Sequence, residues 1–298
     1  MPLWHDIAEM MDYYIPPVPS VYWIDITRRC NLRCIMCPQS AGLRRPQSEM
    51  SMEMFRNIID DVGGNEPLVK LYLSGEPLLH ADLFDMIAYA GVRGCRTMIH
   101  TNATMLTADV SEKLLLSSLT FLSLSFDGCS ADIYEKLRPP ARFDRVESNI
   151  RRFLELRRQN GKRGPHTTIE IIRMQETRDR LGDFIERWRD SGVDDVHVAE
   201  YLTWPDGVED RRANPTPDGD AYQPCEAPFR HGCILSDGTV VPCCMDVNGR
   251  LPLGNVTEKP FRDIWAGNGY RRLRLQMLTG TLSPTSICYR CDNTFREA

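Results

Sequence analysis

The sequence predicts an α/β protein built on a parallel sheet. Short β-branched or aromatic runs alternate with amphipathic stretches between residues 21 and 204, a pattern typical of repeated β-α units. Six apolar runs are predicted as strands: 21–27, 69–74, 96–101, 121–126, 167–173 and 195–202. The stretches between them predict helices at 51–62, 81–92, 107–118, 143–159 and 178–191. Since loops after parallel strands build active sites in this architecture, motifs found there carry the most functional weight.

The chain divides into a large β-α region and a small C-terminal region. Residues 205–224 are rich in Pro, Gly and Asp and show no periodicity, so they are predicted to form a linker. Residues 231–235 and 239–243 flank Ser-Asp-Gly and predict a β-hairpin, followed by helices near 259–266 and 269–279. The predicted division is an N-terminal extension (1–20), the β-α region (21–204), the linker (205–224) and the C-terminal region (225–298).

Composition excludes several classes of function. The 298 residues include 36 Lys and Arg against 41 Asp and Glu, for a formal charge of −5, and the basic residues are scattered. Nucleic-acid binding needs a clustered basic surface, so it is not predicted. No apolar stretch approaches the ~20 residues of a membrane-spanning helix, and the first residues lack the pattern of an export signal. We expect a cytoplasmic protein that acts on small molecules or peptides.

Cysteine is the informative excess, with 11 residues in a chain predicted to stay in a reducing compartment. Directly after the first predicted strand, Cys30, Cys34 and Cys37 form a C-x3-C-x2-C motif. A zinc site usually has four ligands, and no fourth ligand lies nearby in the sequence. Three thiolates on a short loop suit a [4Fe-4S] cluster whose fourth iron is left to a non-protein ligand.

Further short motifs follow the next predicted strands. They are Gly75-Glu76-Pro77, Thr101-Asn102, Ser125-Phe-Asp127-Gly128 and, eleven residues beyond Asp127, Arg138. Any one of them could be a helix or turn cap. Their shared position at strand ends, together with the three cysteines, resembles the radical S-adenosylmethionine (SAM) superfamily.

That resemblance implies a partial (β/α)6 barrel over residues 21–204. It implies that the open iron binds the amino and carboxylate groups of SAM, that Glu76 meets the SAM ammonium and that Arg138 meets its carboxylate. Gly75, Pro77, Asn102, Ser125 and Asp127 complete the implied SAM site. A reducing partner such as flavodoxin or ferredoxin would supply the electron. The family's product is methionine and a 5′-deoxyadenosyl radical that abstracts hydrogen from an unactivated carbon.

A second cysteine group lies in the C-terminal region: Cys225, Cys243, Cys288 and Cys291, with Gly238 five residues before Cys243. The spacing resembles the auxiliary-cluster domain of SPASM-type radical SAM enzymes. Seven residues follow Cys291 and none is cysteine, so the resemblance is to the shortened "twitch" form with one auxiliary [4Fe-4S] cluster. A structural zinc held by the same four thiolates is the alternative.

Four cysteines remain: Cys95, Cys129, Cys233 and Cys244. Cys95 is predicted to be a buried apolar residue. Cys244 follows an auxiliary ligand and is the main candidate for a hydrogen donor, with Cys129 a minor candidate. Adjacent residues of a strand point to opposite faces, so the proximity of Cys244 to the cluster is not guaranteed.

Polar residues at the ends of the fifth and sixth predicted strands are candidate substrate ligands: Arg173, His197, Glu200 and Tyr201. Acidic linker residues, Asp206, Glu209 and Asp210, could attract a cationic aminoglycoside.

The leading functional hypothesis is a carbinol epimerase acting on an amino sugar or aminocyclitol, with Cys244 returning hydrogen from the opposite face. It draws on twitch and SPASM epimerases that pair a non-ligating cysteine with an auxiliary ligand. The second hypothesis is a dehydrogenase that passes the second electron to the auxiliary cluster. A peptide-modifying enzyme is the third hypothesis, and a non-enzymatic cluster or zinc scaffold is the fourth.

Overall fold

A computed structural model describes residues 15–42, 46–64, 66–161, 163–204, 208, 210–212, 221–289, 291 and 295–296. Six parallel strands pair in chain order. They are β1 (Val21–Ile24), β2 (Leu68–Lys70), β3 (Arg96–Thr101), β4 (Phe121–Ser125), β5 (His166–Arg173) and β6 (Asp195–Glu200). This arrangement confirms the predicted α/β class and its parallel sheet.

Helices connect the strands and cover the outer face of the sheet. They are α1 (Met52–Val62), α2 (Leu83–Val92), α3 (Ala108–Leu116), α4 (Ala131–Leu137), α5 (Phe143–Gln159) and α6 (Leu181–Arg189), with short 3-10 turns at Pro77–Leu79 and Arg178–Arg180. Ser51 and Thr107 cap α1 and α3 through their side-chain oxygens. The sequence did not predict α4, whose seven residues are too few for a clear helical period. No helix in the described ranges is long and apolar enough to cross a membrane.

Alternation along the strands separates two faces. Val69, Ile99 and Ile169 are fully buried in the main apolar core, which lies between sheet and helices. The next residue along each strand points to the opposite face. On that face His100, which follows Ile99, and Glu170, which follows Ile169, line a cavity. This inner face, with the loops at the carboxyl ends of the strands, is the lumen of the partial barrel.

The C-terminal region continues the same sheet. Strand β8 (His231–Ile234) pairs in parallel with β1, and β9 (Thr239–Val241) and β10 (Gly254–Asn255) follow antiparallel. The order among the described strands is β10-β9-β8-β1-β2-β3-β4-β5-β6. A separate pair joins β7 (Ala221–Tyr222) to β11 (Phe295–Arg296). Helices α7 (Ala227–Arg230), α8 (Phe261–Trp265) and α9 (Asn268–Thr279) complete the region.

Side-chain contacts also tie this region to the barrel. The rings of Tyr22 and Phe261 meet edge to face at 5.3 Å. The guanidinium of Arg28, a residue only 1% exposed, donates to the Val247 carbonyl over 2.7 Å. The predicted boundary at 205–224 stays a prediction, because residues 205–207, 209 and 213–220 lie outside the described ranges, as do residues 1–14 of the predicted N-terminal extension.

Candidate active site

The loop that follows β1 carries the first three cysteines and is fixed by backbone hydrogen bonds to the segment after α4. The Arg33 N–H donates to the Pro139 carbonyl over 2.6 Å, and the Ile35 N–H donates to the Leu137 carbonyl over 3.0 Å. Because these bonds involve the main chain between the cysteines, they hold the loop in one path.

The glycine of the Gly-Glu motif makes the closest approach to this loop. A Cβ atom on Gly75 would lie 2.1 Å from the Thr27 carbonyl oxygen and 2.7 Å from that of Arg29. The Glu76 N–H then donates to the Arg29 carbonyl over 2.8 Å. Only glycine fits there, so the end of β2 and the cysteine loop are built against each other.

One cavity of about 350 Å³ joins most of the first predicted site. The predicted residues that line it are Cys30, Cys34, Cys37, Gly75, Glu76, Asn102, Ser125, Arg138, Glu200 and Tyr201. Asp127 is fully buried and contacts Arg138 rather than the cavity. Pro77 is buried at the start of the 3-10 turn and is not among the lining residues.

The chemistry of the three thiols fits an iron-sulfur cluster. Burial raises the pKa of Cys30 and Cys34, and it raises that of Cys37 to about 12, while Arg138 partly opposes the rise at Cys34. Thiolates here therefore need nearby positive charge, which cluster iron supplies when it is bound. Within the described ranges, no three or more His, Cys, Asp or Glu residues are placed to hold a metal ion. A four-iron cube binds each cysteine through a different iron, so its ligands stand further apart than those of one ion.

Glu76 is 2% exposed and holds the ends of two strands together. One carboxylate oxygen accepts from the Thr101 hydroxyl over 2.6 Å and from the Leu78 N–H over 3.2 Å, and the other accepts from the Asn102 N–H over 2.8 Å. Burial raises the pKa of Glu76, and these hydrogen bonds oppose the rise. Glu76 therefore both caps a turn and presents a carboxyl group to the cavity.

Asn102 links β3 to the cysteine loop. Its amide nitrogen donates to the Asn31 side-chain oxygen over 3.0 Å and lies 4.0 Å from the Cys30 sulfur. Its amide oxygen accepts from the Thr104 N–H over 3.0 Å. An amide donor beside a cluster ligand is a typical outer-shell partner of a metal site.

Arg138, 5% exposed, places a fixed positive charge in the cavity wall. Its guanidinium donates to an Asp127 carboxylate oxygen over 2.7 Å and to the Ser125 hydroxyl over 2.6 Å. The other Asp127 oxygen accepts from the Ile172 N–H over 2.8 Å. Burial opposes the charge of Arg138, but Asp127 outweighs it and raises the pKa of the guanidinium. The remaining guanidinium surface can meet an anionic group.

The lumen also contains residues that sequence analysis did not select: Tyr72, His100 and Glu170, all of which line the cavity. The Nε2 atoms of His100 and His197 lie 3.7 and 3.9 Å from the two Glu170 oxygens. A signal existed, because these polar residues alternate with fully apolar ones inside predicted strands.

The other candidate substrate ligands differ in whether they line the cavity. Glu200 and Tyr201 line the cavity, whereas Arg173 is not among the lining residues and pairs with Glu200 over 2.8 Å. Of the acidic linker residues, Asp206 and Glu209 lie outside the described ranges. Asp210 forms an ion pair with Arg212 at 2.6 Å.

A second cavity, of about 340 Å³, joins the C-terminal cysteines. All four predicted auxiliary ligands line it: Cys225, Cys243, Cys288 and Cys291. Burial raises the pKa of Cys243 strongly and that of Cys288 to about 12. Trp204 lines this cavity and the first one, so a single indole contributes to both walls.

Cys244 directly follows the auxiliary cysteine Cys243 and, like Cys129 and Cys95, is not among the residues that line either cavity. Strand β9 ends at Val241, two residues earlier than predicted, so the alternation of strand side chains does not separate Cys243 from Cys244. Burial raises the pKa of Cys244 to about 11, the charge of Lys70 lowers it, and the neighbouring Cys225 and Cys291 raise it. The Cys244 thiol is therefore within electrostatic range of both the β2 residue Lys70 and the auxiliary cysteines.

The other spare thiols are buried elsewhere. Cys129 and Cys95 are 8% and 6% exposed in the core between sheet and helices, and neither is among the residues that line the two cavities. Cys233 is fully buried with Leu235 and Val241. The structure therefore does not bring Cys129, the minor donor candidate, to the lumen.

Two family profiles match the chain, and each matched range includes one of the two cysteine groups. The radical SAM superfamily profile matches residues 24–187, and the SPASM iron-sulfur cluster-binding domain profile matches residues 225–292. An AdoMet-dependent heme synthase of Methanosarcina barkeri is 26% identical over 325 residues, covering 92% of this chain and 91% of that protein. The S-adenosyl-L-methionine-dependent 2-deoxy-scyllo-inosamine dehydrogenase of Niallia circulans is 23% identical, covering 92% and 93%.

Solved structures share the fold. BtrN in complex with AdoMet and 2-DOIA superposes with a TM-score of 0.60 at 16% identity, covering 93% of this chain and 94% of that one. Streptococcus suis SuiB bound to S-adenosylmethionine gives a TM-score of 0.73 at 18% identity, covering 96% and 73%. These identities show the fold alone, a partial radical SAM barrel with a C-terminal auxiliary domain. The chain therefore belongs to the radical SAM superfamily with a SPASM domain, and its cofactors are SAM, a [4Fe-4S] cluster and an auxiliary iron-sulfur cluster.

Proposed function

We propose that this enzyme epimerises a carbinol carbon of an amino sugar or aminocyclitol and that Cys244 is the hydrogen donor. The observation that carries the proposal is that the buried Cys244 thiol, next in sequence to the auxiliary cysteine Cys243, lies within electrostatic range of two groups of residues. They are Lys70 and Tyr72 of the barrel and Cys225 and Cys291 of the auxiliary site. A donor must reach the side of the substrate opposite the first hydrogen abstraction, and a thiol near both sites is the candidate for that role.

The cofactor residues follow from the first cavity. Cys30, Cys34 and Cys37 would hold the SAM cluster, which with bound SAM supplies the 5′-deoxyadenosyl radical. The buried Glu76 carboxyl group complements an ammonium, and the Arg138 guanidinium complements a carboxylate. These two opposite charges on one cavity wall suit the amino-acid end of SAM.

Cys244 would transfer hydrogen as an atom. The S–H bond breaks homolytically, a C–H bond forms at the substrate radical, and the unpaired electron moves to sulfur. One electron and one proton then restore the thiol. The electron would come from an external low-potential reductant through the auxiliary cluster that Cys225, Cys243, Cys288 and Cys291 would hold, and the proton would come from solvent.

Dehydrogenation of the same carbinol is the second candidate. The chain covers nearly the full length of a 2-deoxy-scyllo-inosamine dehydrogenase, and Trp204 is shared by the two cavity walls. In this case an auxiliary cluster held by the four C-terminal cysteines would take the electron of the substrate radical, a base would take its hydroxyl proton, and the product would be a ketone.

Turnover in deuterated water separates the two outcomes. Wild-type enzyme with SAM, a strong reductant and a panel of aminocyclitols should yield an inverted product with one deuterium on the inverted carbon. Cys244→Ala should still form 5′-deoxyadenosine but no inverted product, whereas the control Cys95→Ala should retain inversion. A ketone without carbon-bound deuterium, or inversion by Cys244→Ala, would overturn the epimerase proposal.

A further inference from the structure

Glu170 is the carboxylate at the centre of the lumen. In the register of the sheet it lies between Ser125 of β4 and His197 of β6. Its side chain is 20% exposed, and it lines the cavity that contains the first three cysteines. The residue therefore faces the space next to the predicted radical source.

This carboxylate is not used by the fold. The nearest imidazole nitrogens, on His100 and His197, are 3.7 and 3.9 Å away, which is beyond hydrogen-bonding distance. The backbone carbonyl of Glu170 accepts from the Phe126 N–H, but the described residues place no hydrogen-bond donor on its carboxylate oxygens. A half-buried carboxylate with unused lone pairs needs donors from a ligand or water.

The cations of the lumen are held elsewhere. Arg138 is bound to Asp127, and the Lys70 ammonium lies over the Trp23 ring at 4.1 Å. Burial lowers the pKa of His100 against the opposing charge of Glu170, so this imidazole is neutral near pH 7. No Lys or Arg side chain in the described part of the lumen therefore forms an ion pair with Glu170.

We infer that Glu170, with the imidazoles of His100 and His197, binds the protonated amine of the substrate. A primary ammonium has three N–H donors, and this group offers carboxylate oxygens and imidazole nitrogens as acceptors. The inference deepens the proposed function and rests on it. It identifies the amine as the group that the lumen recognises, and it makes a neutral polyol or an acylated amine a poor ligand.

Binding of a matched ligand pair tests this. Isothermal titration of the reconstituted enzyme with SAM would compare 2-deoxy-scyllo-inosamine with its N-acetyl derivative, which keeps the ring and lacks the charge. Wild type should prefer the amine by at least about 30-fold, as expected for a buried charge-assisted contact. Glu170→Gln should lose that preference by weakening amine binding alone, and Glu170→Asp should recover part of it.

Glu200→Gln is the comparison variant, because Glu200 lines the same cavity but is already paired with Arg173. It should reduce the preference much less than Glu170→Gln. Equal affinity of wild type for both ligands, binding of neither, or equal losses in the two Gln variants would overturn the inference.

Inversion in deuterated water, measured with the same wild-type enzyme, tests the proposed function separately. Wild type should form the inverted, deuterated product from the amine. If wild type forms none, the proposed function fails. If it forms that product but shows no amine preference, only the role of Glu170 fails.

Discussion

The two cysteine sites are built in opposite ways. The first uses three cysteines of one short loop, fixed by Gly75 and by backbone bonds to Leu137 and Pro139. The second collects cysteines from before β8, after β9 and after α9. The barrel therefore fixes the shape of the first site, whereas the second site brings together separate segments of the C-terminal region. Radical generation should depend on the first site alone, and full turnover should depend on both.

The largest expected effect separates these roles. Cys34→Ala should reduce 5′-deoxyadenosine formation by well over about a hundredfold, since losing even an outer-shell partner of a metal costs about 10- to 100-fold. Cys243→Ala should keep substrate-free SAM cleavage and lose product formation. Chromatographic measurement of 5′-deoxyadenosine and product checks both. Loss of SAM cleavage in folded Cys243→Ala would show that the sites do not act separately.

The next effect concerns the charges that fix the first site. Asp127→Asn leaves the Arg138 guanidinium buried without its carboxylate partner, and breaking such a pair costs about 3–5 kcal/mol. Asp109→Asn is the control, because Asp109 and its partner Lys113 are 73% and 56% exposed, and an exposed pair is worth about 0–1 kcal/mol. Urea unfolding measures both changes. Equal losses would mean that the buried pair does not organise the barrel mouth.

A smaller effect tests the contact between the cysteine loop and the end of β2. Gly75→Ala forces a methyl group against the Thr27 and Arg29 carbonyls and should cost about 1–3 kcal/mol of unfolding free energy. Gly182→Ala in α6 meets open space and should gain about 0.5–1 kcal/mol. Thermal unfolding of the two variants compares them directly. A neutral Gly75→Ala would contradict the close approach.

The smallest effect is a pH dependence from the lumen. Burial holds the pKa of His100 below 6.5 in the folded protein. Below pH 6.5 the unfolded chain therefore binds a proton that the folded chain does not, and stability declines as pH falls. His100→Gln should flatten the slope of unfolding free energy between pH 7 and pH 5, with His166→Gln as the control for removing an imidazole. An unchanged slope in His100→Gln would contradict the burial of His100.

Sequence patterns predicted the local and repeated features well. The bounds of the six parallel strands differ from the predicted ones by at most four residues, and helix Phe143–Gln159 has its predicted bounds. Hydrophobic period and turn chemistry are local properties, so they can be read from short windows. The cysteines that were grouped by their spacing also line one cavity in each case.

Non-local features were not predicted. The pairing of β8 with β1 joins residues more than 200 positions apart, and no short window encodes such a pair. Glu170 and His100 were missed because a polar residue within a strand does not reveal whether its face is a lumen or a solvent surface. The predicted strand extended to Cys243, so Cys243 and Cys244 were expected to point to opposite faces. In the structure β9 ends at Val241 and Cys244 lies in a turn.

We expect a cluster held by Cys30, Cys34 and Cys37 to keep an iron for SAM, and a cluster held by the four C-terminal cysteines to keep none. Electron paramagnetic resonance of reduced, anaerobically reconstituted Cys243→Ala and Cys34→Ala, each with and without SAM, tests this most directly. The signal that remains in Cys243→Ala should shift when SAM is added, and the signal in Cys34→Ala should not. A SAM-dependent shift only in Cys34→Ala would contradict the claim.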